Sequence, residues 1–178
     1  MSSQLCNIPS GILAFDTGSH FGWCFRPEDG NGRSGVILLS KHGLDGAAWD
    51  RLSRSLAELI AEYNPELIAY EEVRQRQFPS AAKAYGAMVA FIQHAAFLAG
   101  RETLGCNVAE VKKFATGSGN ADKDSMVKSA LERWPGWRPM VDGDTNEADA
   151  RWVAEFAAHK TGRRRSSSSR PGTSRRTT

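Results

Sequence analysis

Two apolar runs that each end on a carboxylate constrain this chain more than any other feature. Ile12-Leu13-Ala14-Phe15-Asp16 and Leu67-Ile68-Ala69-Tyr70-Glu71 read as buried strands of equal length, each stopping at an acid. Between them, residues Ala47–Tyr63 read as a helix, with Trp49, Leu52, Leu56, Leu59, Ile60 and Tyr63 on one stripe and Asp50, Arg51, Arg54 and Glu58 outside it. Asn64-Pro65 stops that helix. A helical crossover between two strands predicts that they run parallel. Their carboxyl ends then share one edge of the sheet, the edge at which open α/β sheets bind ligands. A carboxylate buried there alone is costly, and two together repel unless a cation lies between them.

The rest of the chain fits the same α/β class. Ile12–Asp16, Phe21–Phe25 and Gly35–Ser40 are joined by links rich in Gly, Ser, Asp and Asn, which predicts an antiparallel three-stranded meander. Ser80–Ala99 reads as a long helix. Its Tyr85, Met88, Val89, Phe91, Ile92 and Phe97 exceed what one core face needs, so it is either a subunit interface or a fully buried central helix. Thr103–Val108 is a further strand. Two shorter helices follow around the loop Thr116-Gly117-Ser118-Gly119-Asn120, and a last helix spans about Thr145 to His159. By size the chain is one domain, divided as a leader over 1–10, a folded body over 11–160 and a tail over 161–178.

The last helix supplies a third acid. Asp149 shares a face with Trp152, Val153 and Phe156, at spacings of three, four and seven, so its carboxylate starts the inward stripe. Asn146, three residues earlier, lies on that face and offers an amide oxygen. Asp144 and Glu147 are spaced as a capping box, which assigns both a structural role, with Asp144 the nearer to the site. Glu72 alternates to the other side of its strand from Glu71. Any one acid reads as a cap or a surface charge; their matched placement at element ends favours a shared hard-cation site of oxygen ligands, for which Mg²⁺ is the natural ion. Two such ions clamp the attacking and leaving oxygens of a phosphodiester.

Lys112 and Lys113 precede the glycine loop and Lys123 and Lys128 follow it; with Arg133 and Arg138 they make the most basic stretch of the body. Such a loop brings backbone N–H groups and ammonium groups to phosphate, although solvated lysines on an exposed loop produce the same pattern. His20 lies near Asp16, while His42, His94 and His159 form no metal pattern. Trp134, Trp137 and Trp152 read as core, with base stacking the minority reading. Cys6, Cys24 and Cys106 are unpaired in spacing and predict reduced thiols in a cytoplasmic protein. No secretory signal or membrane-length stretch is present in the sequence. The net charge of +3 divides unevenly: residues 161–178 carry six Arg and no acid, against 17 basic and 20 acidic residues before them. That tail predicts disorder and either a grip on a polyanion or plain solubility.

The segments Asp16-Thr17-Gly18-Ser19, Ala69-Tyr70-Glu71-Glu72-Val73, Val111 to Lys123 and Glu147-Ala148-Asp149-Ala150 resemble, in order, those of RuvC-like Holliday-junction resolvases, above all their phage-type relatives. The resemblance covers roughly residues 11–160. It implies an RNase H-like fold with a mixed five-stranded sheet and helices on both faces. It also implies a homodimer, and Mg²⁺-dependent nicking of four-way or branched DNA in a bacterial cell or phage-infected host. Mn²⁺ is the expected substitute ion, and no membrane or small-molecule cofactor is implied. By position, Asp16, Glu71 and Asp149 match catalytic metal ligands, and Lys112 and Lys123 match basic residues near the scissile DNA, with Lys113 and Arg74 as further DNA contacts. Where the family has an Asp or His ligand three residues before the last aspartate, this chain has Asn146; either Asn146 serves, or Asp144 or Glu147 substitutes. At the position of a junction-wedging aromatic it has Arg74, with Phe78 further along.

Phe15-Asp16-Thr17-Gly18-Ser19 also imitates the motif of pepsin-like aspartic proteases. Those enzymes need two such aspartates and a mostly β fold, and this chain has one copy and several helices. An actin- or hexokinase-type ATPase needs a second lobe, for which 178 residues leave no room. A resolvase-like module that binds branched DNA and cuts poorly, because of Asn146, is the remaining alternative.

Overall fold

The structure is a computed structural model and describes residues 10–29, 32–40, 44–73, 79–141 and 145–162. Arg74, Phe78, Asp144, His42, nearly all of the leader and the Arg-rich residues from 163 onward lie outside them. Five strands form one sheet in the order β3-β2-β1-β4-β5: β1 (Ile12–Asp16), β2 (His20–Arg26), β3 (Arg33–Leu38), β4 (Leu67–Glu72) and β5 (Glu102–Asn107). β1, β2 and β3 pair antiparallel, and β4 pairs parallel with both β1 and β5. The expected meander, the crossover and the parallel pair are all present. β3 starts two residues earlier than its sequence pattern suggests, because Arg33 and Ser34 pair with Phe25 and Cys24. β5 stops at Asn107, whose side chain caps the next helix.

Side-chain alternation assigns each strand residue to a layer. Leu13, Phe15, Phe21, Ile68 and Tyr70 face one side of the sheet, where they pack against α1 (Gly46–Tyr63) and α2 (Pro79–Leu98). α1 is entered by Asp45, which accepts from the Ala48 N–H at 2.9 Å, and closed by Asn64 in the left-handed region at φ 43°. Its buried Leu52, Leu56, Leu59 and Ile60 are the expected stripe, and each such side chain stabilises the layer by roughly 1.5–3 kcal/mol.

Ile12, Ala14, Cys24, Leu67, Ala69 and Cys106 face the other side and pack against α5 (Asn146–Lys160), which α3 (Val108–Thr116) and α4 (Lys123–Arg133) cover in turn. The fully buried helix is therefore α5, with ten of its 15 residues buried, and not α2. Five of those ten are alanines, which let the helix sit close to the sheet. α2 buries only Met88, Ile92 and Ala96 and leaves Phe97 and Leu98 exposed at 79% and 70%. Among the described residues no helix is long and apolar enough to cross a membrane.

Candidate active site

The strand alternation that sends Ile12 and Ala14 toward α5 sends Asp16 there too, and Leu67 and Ala69 do the same for Glu71. Phe15 pairs with Tyr70, so the next step along both strands sets Asp16 beside Glu71. Asp149 comes down from the first turn of α5, where the positive end of the helix favours a carboxylate. Asp16 is only 7% exposed. Burial holds its carboxyl well above the ordinary carboxylate range, the charges of Glu71 and Asp149 raise it further, and Lys123 opposes them. A hydrogen bond to the Glu71 side chain raises it as well. The three expected acids and one of the expected lysines thus act on a single point of the sheet edge.

These groups suit a hard divalent cation. The donors are carboxylate oxygens whose mutual repulsion a cation relieves, and the buried hydroxyl of Thr17, the residue after Asp16, has no hydrogen-bond partner among the described residues. Among the described residues no three His, Cys, Asp or Glu side chains already gather into a ready-made metal cage. The charges of Glu71 and Asp149 instead act on the buried Asp16, a repulsion that a bound cation would relieve.

The supporting residues were less visible in the sequence. Gly22 pairs with Asp16 across β1 and β2, and a Cβ built on it falls 2.2 Å from the Asn146 carbonyl oxygen. This glycine lets the α5 backbone touch the sheet beside Asp16, which is how Asn146 and Asp149 reach the site. Gly22→Ala is expected to lift the first turn of α5, cost about 1–3 kcal/mol in chemical denaturation, and remove any thermal stabilisation by Mg²⁺. Tyr85 of α2 fixes the end of β4, accepting from the Val73 N–H at 3.0 Å and donating to the Glu71 carbonyl at 3.2 Å.

Asp144, the first member of the expected capping box, lies outside the described residues. Thr145 occupies the N-cap and makes no side-chain cap bond. Glu147, 2% exposed, accepts instead from Ser34 Oγ at 2.6 Å, Trp137 Nε1 at 2.9 Å and the Met140 N–H at 2.7 Å. Both of its oxygens are engaged away from the sheet edge, so it is no substitute for Asn146. Its role is structural, as expected, but by a different set of bonds.

The glycine loop is held rather than loose. Gly117 closes α3 at φ 85°, the Thr116 hydroxyl donates to the Lys112 carbonyl, and Asp122 caps α4 by accepting from the Ser125 N–H at 2.9 Å. Lys112 donates its ammonium to the Ala121 carbonyl at 2.7 Å, so it fastens the loop that delivers Lys123. Lys113 is exposed on α3.

No protein-family model matches the sequence, and no curated protein matches it significantly. Solved structures do match. Thermus thermophilus RuvC superposes with a TM-score of 0.66 at 20% identity, over 85% of this chain and 96% of that one. The same protein in complex with a Holliday junction substrate gives 0.68 at the same identity and coverage. The yeast mitochondrial Holliday junction resolvase Ydc2 gives 0.55 at 20% identity, over 87% of this chain and 84% of that one. The likeness spans nearly the whole folded body, and it gives this chain the RuvC-type, RNase H-like α/β fold.

Proposed function

We propose that the chain is a divalent-metal-dependent endodeoxyribonuclease that cuts four-way or other branched DNA junctions. The observation that carries this reading is the convergence of Asp16, Glu71 and Asp149, in one another's field, with Lys123 as the opposing charge. Asp16, Glu71 and Asp149 would hold the ion, with the Asn146 amide as a weaker fourth ligand. When bound, Mg²⁺ or Mn²⁺ supplies Lewis acidity and an activated water for phosphodiester hydrolysis. Lys123 draws a phosphate toward the acids and offsets their charge, and the α3–α4 loop fastened by Lys112 sets its approach. Cys24 and Cys106 are buried free thiols with pKa values pushed up to about 12 by burial, which suits a reducing cytoplasm. A symmetric junction calls for two copies of the site, and the bare Phe97 and Leu98 at the end of α2 are the surface on which a second copy packs.

The test is a synthetic four-way junction incubated with Mg²⁺, Mn²⁺ or EDTA. Paired nicks in opposing strands that need the metal are the expected result. Tight junction binding without nicking at any concentration of either metal would leave the binding-module reading, which the neutral Asn146 favours. Preference for flaps over four-way junctions would keep the nuclease and change its substrate.

A further inference from the structure

A cleft of about 1150 Å³ opens on the α5 side of the molecule, away from the acids. Its wall includes Arg26, which pairs with Ile12 at the opposite end of β1 from Asp16, a span of four residues or about 13 Å. From there it runs along α5 to Arg151, and none of Asp16, Glu71 and Asp149 lines it. Four arginines, Arg26, Arg133, Arg138 and Arg151, line it against two acids, Asp29 and Glu155. Glu155 is answered twice over, by Arg26 Nε at 2.6 Å and Arg133 Nη2 at 3.0 Å. The surplus charge is positive.

The wall is also planar. Arg151 lays its guanidinium over the rings of Trp134 and Trp137, at 5.4 and 5.1 Å from their centroids. Trp137 is buried and its N–H is spent on Glu147, but Trp134 is only half-buried and leaves indole surface in the cleft. At the rim, Arg133 is half exposed, and Arg138 commits Nη1 to the carbonyls of Pro135 and Trp137. Among the described residues its Nε and Nη2 meet no protein acceptor.

Exposed guanidinium forks beside a half-buried indole are the parts that hold a phosphate and a stacked base together. An acidic peptide shares the charge but carries a planar ring for the Trp134 indole only where it holds an aromatic residue, whereas every nucleotide of a strand carries one. The continuation of the chain points the same way. α5 ends at this cleft with Ala158 and His159, and residues 163–178 follow with six arginines and no acid. A short ligand would not use that charge, whereas a polyanionic strand would.

We propose that this cleft is a second nucleic-acid contact, holding an unpaired stretch of single-stranded DNA with a base against Trp134 and its phosphate on Arg133 and Arg138. It goes beyond the catalytic reading and does not depend on it. The experiment is a titration of the full chain with a short oligothymidylate in EDTA, read by intrinsic tryptophan fluorescence. Saturable quenching is expected, weakened at least about tenfold in Arg133→Gln/Arg138→Gln, with a shallower salt dependence by about one to two phosphates. Arg138→Glu, which breaks no ion pair among the described residues, guards against loss of fold in the double variant and should weaken binding on its own. Asp16→Asn should bind as the parent does while losing nicking, and a parent that shows quenching but no metal-dependent nicking of junctions removes the nuclease reading alone. The cleft proposal is overturned by the absence of saturable quenching, by equal affinity in the arginine variants, or by an acidic tryptophan-containing peptide displacing the oligonucleotide at lower concentration.

Discussion

Asp16→Asn is expected to abolish metal-dependent nicking, by on the order of 10³-fold or more, while raising the thermal midpoint of the metal-free protein. The two effects have one cause. Asp16 is buried between two other acids, and its carboxyl is held well above the ordinary range by burial and by their charges. The folded state therefore binds a proton more readily than the unfolded chain does. Stability at this site is greatest at low pH, falls as pH rises through the ordinary carboxylate range near 4, and stays lost above the folded pKa. An amide at the same place removes the charge and still donates to Glu71, so the metal-free variant escapes that loss. A cation does the same for the parent protein by another route. Mg²⁺ should raise the parent midpoint more at about pH 8 than at about pH 5, because protons and metal compete for the same oxygens. The variant should show little metal response at either pH. Melting curves in EDTA and in Mg²⁺ at the two pH values check all four corners. Nicking that survives in the variant, or a variant less stable than its parent in EDTA, would sink the role given to Asp16.

Much of this site is legible in the sequence because strand alternation and crossover topology are short-range rules. Once Ile12–Asp16 and Leu67–Glu71 are parallel neighbours, period two places both acids on one face and sends Glu72 to the other. The face of the last helix carrying Trp152, Val153 and Phe156 then points Asp149 at them. What the sequence hides depends on close approach. Gly22 sits in an ordinary strand pattern, and nothing local says that a helix backbone lies against it. Glu147, Arg151 and Glu155 recur at spacings of four, the habit of a solvated helix face. The fold buries this stripe by supplying Ser34, Trp137 and Trp134 to its first two members and Arg26 and Arg133 to the third. Those partners come from β2, β3 and the end of α4, too far away in sequence for any periodicity to reveal. The same limit explains why α2, the more apolar helix, reads equally as a subunit interface or as the buried central helix. Its surplus is left on the surface, while alanine-rich α5 is enclosed.

Glu147→Ala is expected to cost about 3–5 kcal/mol, a large part of the 5–15 kcal/mol that holds a domain of this size together. The carboxylate is the meeting point of three donors from three segments: Ser34 on β3, Trp137 after α4 and the backbone of Met140. Removing it leaves the buried indole N–H without an acceptor, at about 1–3 kcal/mol, and releases the Met140 N–H as well. It also strips the negative charge facing Arg151, whose Nε donates to the same Ser34 hydroxyl at 2.7 Å. Glu147→Gln separates shape from charge, since the amide oxygen still accepts while its NH₂ now faces donors. The expected order of stability in chemical denaturation is parent, then Gln, then Ala. Because the network anchors the helical turn that also carries Asn146 and Asp149, the Gln variant should keep metal-dependent nicking wherever it remains folded. A cost below about 1 kcal/mol for the Ala variant would mean that water reaches the Glu147 carboxylate and that the turn is held by something else.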